Sequence, residues 1–286
     1  MNHTSQVLAL SLISFTLLIG ACSSSSDSVD GTPTTTSAVS FSPETVSADV
    51  TSVGVITVAQ SYPLDDEAET SIEAEFFNSP EPVSASDLAG AFVGLAGVCV
   101  TNGEPASSPE SGPIVLEPTN AGDVIVVSSP GGTFANLFLG PDDIYFLESS
   151  SLPGGTPTGL TIDSTGGEFS ALANIQIPDV DQLTGVSAGE VPVTATSAIT
   201  WDAGSDPANT LVMIAAFTDD DNPDSVVCFT ADTGAFSFPA GTQNALDTDF
   251  SASDAAIARL AITLSVNNDE LLIVTNGVIT DINTGP

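Results

Sequence analysis

Apolar residues in this chain fall into short runs punctuated by turn residues, from about Val46 to the end. Val53-Gly54-Val55-Ile56-Thr57-Val58 predicts a strand. Ile72, Ala74 and Phe76 alternate with Glu73 and Glu75, the period of a half-buried strand. Phe92 to Val100 is an apolar strand run that ends at the turn signal Asn102-Gly103, and Ser86 to Gly90 suggests one helical turn. Val124 to Val127, Phe134 to Leu139, Ile144 to Leu147, Leu160 to Ile162 and Phe169 to Ile177 complete a first set of strands. Their turns carry Pro130-Gly131-Gly132, Gly140-Pro141 and Gly166-Gly167.

Pro178-Asp179-Val180-Asp181 reads as a boundary, after which the pattern restarts. Val191 to Thr194, Ala198 to Trp201, Thr210 to Phe217, Val226 to Thr230 and Phe236 to Pro239 form the second set. Leu260, Ile262, Leu264 and Val266 alternate with Arg259, Ala261, Thr263 and Ser265, predicting a half-buried strand, and Leu271 to Val274 predicts the last long one. Short strands spaced by Gly/Pro turns predict an all-β chain of two antiparallel, immunoglobulin-like β-sandwich domains, at 46–180 and 181–286.

The first run is of another kind. Val7 to Gly20 is apolar but shorter than the roughly 20 residues a permanent transmembrane helix needs. It ends in Leu18-Ile19-Gly20-Ala21-Cys22 and opens onto Ser23-Ser24-Ser25-Ser26-Asp27. This resembles the lipobox of bacterial lipoproteins, although the usual cationic start is missing and only His3 and the amine stand there. The resemblance implies a signal peptide over 1–21 and an acylated Cys22 anchored in the lipid bilayer. With Ser23 rather than Asp after it, the implied address is the outer membrane, facing the periplasm or the cell surface. Residues 22–45, rich in Ser, Thr, Asp and Pro, read as a disordered stalk.

Composition narrows the chemistry. The 286 residues carry 37 acids against one basic residue, Arg259, for a net charge of −36. Mean hydropathy of +0.29 still describes a packable chain. Such a surface repels nucleic acid and attracts cations. Beyond the leader there is neither His nor Lys, which excludes Ser-His-Asp and Cys-His catalysis, Schiff-base chemistry, P-loops and His-ligated zinc. Cys99 and Cys228 remain as an even pair after Cys22, either joined in an oxidising compartment or held as buried thiols.

Carboxylates supply the remaining candidates. Asp219, Asp220, Asp221 and Asp224 form the densest cluster, with oxygen ligands of the kind calcium takes, but without EF-hand spacing; a solvated hairpin tip is the simpler reading of them. Asp65, Asp66, Glu67 and Glu69 precede Glu73 and Glu75, which share one strand face at about 7 Å, near glycosidase separations. No aromatic platform adjoins that pair in sequence. Trp201, Tyr62 and Tyr145 are sugar-stacking candidates, with core packing the simpler role for Trp201. Arg259 is expected to pair with an acid.

Trp201-Asp202-Ala203-Gly204, Val227-Cys228-Phe229 and Asp232-Thr233-Gly234 to Ala240 resemble the C-terminal module of uncharacterised bacterial surface lipoproteins. Ala121-Gly122-Asp123 and Pro130 to Thr133 are similar to their first module. That resemblance implies two sandwich modules and no ligand. The function expected is a non-catalytic envelope role in binding, adhesion or assembly, with an envelope protein or glycan as partner and no cofactor required. The alternative is a calcium-dependent carbohydrate-binding module or a carboxylate-dependent glycoside hydrolase.

Overall fold

The structure is a computed structural model that describes residues 48–62, 68–86, 96–101, 116–140, 143–147, 152–153, 158–189, 192–218, 225–246, 250–252 and 254–282. The chain is built almost wholly of strands. The first part contributes β1 (Asp49–Tyr62), β2 (Glu69–Ser84), β3 (Cys99–Thr101), β4 (Glu117–Thr119), β5 (Val124–Ser129), β6 (Gly132–Leu139), β7 (Ile144–Leu147), β8 (Leu152–Pro153), β9 (Thr161–Ser164) and β10 (Ile175–Gln176). The second contributes β11 (Ala198–Thr200), β12 (Thr210–Phe217), β13 (Ser225–Ala231), β14 (Ala235–Ser237), the short helix α1 (Ala240–Ala245), β15 (Asp254–Asn267) and β16 (Glu270–Asp281).

Fourteen of these strands share one sheet, in the order β10-β9-β5-β6-β7-β2-β1-β16-β15-β12-β13-β3, with β4 and β8 also paired to β2. β11 and β14 form a separate pair. Two pairings cross the boundary at 178–181. β1 runs parallel to β16, from Ser52 opposite Glu270 to Tyr62 opposite Thr280. β3 pairs antiparallel with β13, placing Cys99 opposite Cys228.

The core explains which apolar runs are continuous and which alternate. One cluster covers one face of β1, β16, β15, β12 and β13, including Val53, Leu211, Met213, Phe229, Ile262 and Ile273. The opposite face carries two separate clusters. Ile56, Val58, Phe76, Ile125, Leu137 and Tyr145 belong to one, closed by Phe169, Leu172 and Ile177. Val212, Ile214, Trp201, Phe238 and Ile257 belong to the other. β1, β12 and β16 are therefore buried on both faces, and their stretches Val53 to Ile56, Leu211 to Phe217 and Leu271 to Val274 show no polar alternation. β2 is apolar on one side only and keeps its alternation through Phe76. Pro80 and Pro82 sit where β2 leaves register with β1, between Asn78 and Val83, and so interrupt no ladder bond there.

Four expectations change. Of the run from Phe92 to Val100, the described part turns at 96–97 and becomes strand only from Cys99. Between Phe169 and Ile177 only Ile175 and Gln176 pair, because other groups take the backbone bonds: Ser170 N donates to Glu270 and Leu172 N to Ser164 Oγ. Of the run from Val191 to Thr194, the described part, 192–194, yields a single bridge, Thr194 to Ser251. Arg259 and Ala261 are buried rather than solvent-facing, because the second opposite-face cluster and the chain from Pro178 cover that side of β15. The helical turn expected at Ser86 to Gly90 lies outside the described residues beyond Ser86.

Candidate functional site

Polar residues are buried where the two opposite-face clusters meet, and they fasten the segment 178–183 across the sheet. β16 supplies Asn276, whose Nδ2 donates to the Pro178 carbonyl at 2.8 Å and whose Oδ1 accepts from Gln60 Nε2 at 3.5 Å. β15 supplies Arg259. Its Nη1 donates to the carbonyls of Asp181 (3.2 Å) and Gln182 (3.0 Å), and its Nη2 to that of Asp202. A guanidinium suits this task because its donors form a rigid fork.

Asp232, at the end of β13, neutralises the charge. Its Oδ2 lies 2.8 Å from Arg259 Nε, a contact that is electrostatic rather than a directed hydrogen bond, since the Nε proton has no aligned acceptor. Oδ1 accepts from Arg259 Nη2 at 3.3 Å and from Trp201 Nε1 at 2.6 Å. Oδ2 also takes the Gly204 backbone N–H at 2.9 Å. A Cβ on residue 204 would come within 2.7 Å of that oxygen, so glycine is what allows the approach.

Beside this fastening lies a cleft of about 650 Å³. Asp179, Asp181 and Asp206 stand on it with Ser205, Asn209 and Thr210, over a floor that includes Ala261 and Thr263 of β15. Hydrogen bonds from the Ser205 hydroxyl and backbone N–H hold the Asp181 carboxyl below its ordinary 3.8, with Arg259 adding a smaller effect. The lining offers oxygen acceptors, hydroxyls and an amide. It suits a hydroxyl-rich or cationic ligand.

The sequence candidates fall in several places. Cys99 and Cys228 are joined in a disulfide, with Cα atoms 4.0 Å apart. Trp201 is core, 4 % exposed, its N–H spent on Asp232. Tyr145 is buried too: its hydroxyl accepts from Ala121 N at 2.8 Å and donates to the Gly122 carbonyl. Burial, with the charges of Asp123 and Asp143, raises the phenol above 10.0 even though the Ala121 bond opposes it. Tyr62 hydroxyl donates to Gln60. Cys22, Asp65, Asp66, Glu67 and the acidic loop with Asp219, Asp220, Asp221 and Asp224 lie outside the described residues. Among the described residues no group of three or more His, Cys, Asp or Glu is placed to hold a metal ion, and no helix is long and apolar enough to cross a membrane.

Glu73 and Glu75 share the β2 face that turns away from Phe76. Burial raises the Glu75 carboxyl above its ordinary 4.5, and the neighbouring Glu73 charge adds to this. The structure also brings to Glu75 an apolar neighbour that sequence spacing does not show: Ile144 stands opposite it on β7, with Phe146 two residues on. The cleft carboxylates Asp179 and Asp181 belong to a segment legible only as a boundary, and Asp206 has no signal of its own in the sequence.

Comparison of the chain with protein-family models, with curated proteins and with solved structures finds no match.

Proposed function

We propose that the chain is a lipid-anchored protein of the bacterial outer membrane, held by acylated Cys22 and facing the periplasm or the cell surface. Its β body has a non-catalytic role in binding, adhesion or envelope assembly. The observation that carries the reading is the Cys99–Cys228 disulfide. Such bonds persist in oxidising compartments, which agrees with an exported leader ending in Gly20-Ala21-Cys22. The finer architecture, two immunoglobulin-like sandwich modules meeting near residue 180, is part of the same proposal. It draws support from the two separate clusters on one face and takes β1–β16 as the seam they share. The cleft beside Arg259 is the proposed binding locus for a glycan or a protein partner, with no cofactor needed.

Cells expressing the chain and fed a clickable palmitate analogue should label the mature protein, with Cys22 as its first residue by mass spectrometry. Cys22→Ala should lose the label and leave the membrane fraction. An unmodified thiol at Cys22 in the wild-type protein would overturn the anchor.

A further inference from the structure

Ile144 and Phe146 are the exposed large hydrophobic side chains of the described residues, at 47 % and 52 %. Both lie on β7, which is not a sheet edge: it runs between β6 and β2. Between them Tyr145 points the other way into the core, so the exposed pair shares one face. The pair is not isolated. Phe146 stands opposite Phe138 on β6, and Phe138 opposite Val124 on β5, both half-buried. Ile144 stands opposite Glu75, with Glu73 on the same face of β2. An apolar strip therefore runs across three strands and ends on two carboxylates.

The Phe146 ring is seated before any partner arrives. It lies over Gly140, where a Cβ would come within 2.8 Å of Cε1, and the Gly140 N–H is tied to the Ile144 carbonyl at 2.9 Å. A fixed aromatic side chain loses little freedom on binding, which is what makes such rings effective anchors.

We infer that this face of β7 is a docking surface for an apolar segment of another protein that carries Lys or Arg beside its apolar residues. Charge complementarity selects this occupant. The surface is anionic, and the one basic residue beyond the leader, Arg259, is 1 % exposed. A second copy would set carboxylates against Glu73 and Glu75 and bring no cation to either. A basic side chain from elsewhere would satisfy both carboxylates while its apolar neighbours cover Ile144 and Phe146. Mutual repulsion and partial burial already penalise the Glu75 charge in the free protein, and a docked cation would relieve that penalty.

The inference rests on the non-catalytic binding reading for its partner, but its test does not involve acylation chemistry or the cleft. The full chain would be titrated in a non-ionic detergent that keeps it soluble whether or not Cys22 carries acyl chains, with detergent alone as reference. Two synthetic peptides of equal charge serve as probes, one alternating Leu with Lys and one alternating Ser with Lys. The wild-type chain should prefer the Leu peptide by about tenfold or more. Ile144→Ser with Phe146→Ser should abolish the preference with only a modest fall in melting temperature, since neither side chain is core. Glu73→Gln with Glu75→Gln should weaken the Leu peptide several-fold. Equal binding of both peptides, an unchanged preference in the Ser variant, or concentration-dependent dimerisation that the Ser variant abolishes would each overturn the inference. Unlabelled Cys22 would sink the anchor and leave these titrations as they are.

Discussion

Arg259 and Asp232 form a buried ion pair, their side chains 2 % and 0 % exposed and Nε 2.8 Å from Oδ2. The pair does more than neutralise itself, because three of the remaining guanidinium contacts are backbone carbonyls of the segments around Asp181 and Asp202. Removing one partner leaves a buried charge without compensation, which typically costs about 3–5 kcal/mol. Asp232→Ala is expected to fall in that range by chemical denaturation. Arg259→Met should do similar damage, because it orphans Asp232 and frees the chain at 181–182. Loss below about 1 kcal/mol in either variant would contradict the fastening role.

The disulfide closes a loop with a sequence separation of 129 residues and joins a three-residue edge strand to the sheet. Chain entropy alone assigns such a closure about 5 kcal/mol, an upper figure in practice. Cys99→Ser with Cys228→Ser is expected to lower stability by roughly 2–5 kcal/mol. Hydrogen exchange should rise first at Val227 and Phe229, whose backbone N–H groups face β3 and the residue before it.

Glu75 has a folded-state pKa above its ordinary value, so its charge opposes folding at neutral pH. The penalty is present above the folded pKa and fades as pH falls through it, disappearing below the ordinary 4.5. Glu75→Gln should therefore stabilise the protein at pH 7, by no more than about 1 kcal/mol given its partial exposure. The gain should vanish in acid. Paired melting curves at neutral and acid pH measure both statements.

Asp181 behaves in the opposite sense. Its folded pKa is depressed by the Ser205 hydroxyl and N–H, so its contribution is present above the ordinary 3.8 and is lost as pH falls through the lower folded value. Asp181→Asn should flatten the acid limb of the stability profile by slightly lowering stability at neutral pH, while the two proteins converge well below the ordinary 3.8. Because the side chain is exposed, the effect is small, and an acid limb as steep as that of wild type with no loss at neutral pH would count against it.

A net charge of −36 with its one Arg buried leaves a surface that repels itself. Screening acts beyond about 8–10 Å at physiological ionic strength. The melting temperature should rise between very low salt and about 0.5 M salt, most of all at neutral pH. A flat response would mean that the acids are spaced too far apart to matter.

The strands were legible wherever burial follows a simple period. Ile72, Ala74 and Phe76 face a core on one side only, and their alternation shows it. Val53 to Val58 and Leu211 to Ala216 are buried on both sides, and their continuity shows it. What sequence could not give was partnership over distance. Nothing in Ser52 or Glu270 announces that they are neighbours, since hydrogen bonds between backbones carry no side-chain signature. Arg259 looked solvent-facing because its strand alternates, and only the packing of 178–183 over it makes it buried. The cleft is likewise assembled from Asp179, Asp206 and Thr263, three residues on three separate segments. Ile144 and Phe146 belong to an ordinary strand motif, and their exposure depends on what does not cover them.

The seam between β1 and β16 has a bearing on how the molecule is made. Its register joins residues 218 positions apart, so the middle of the sheet is assembled from two distant parts of the polypeptide. Contacts of such long range form slowly and late. While synthesis proceeds, β1 lacks its β16 neighbour until that strand is made. A nascent chain in this condition keeps its central seam open, and the sheet closes only once β16 has emerged.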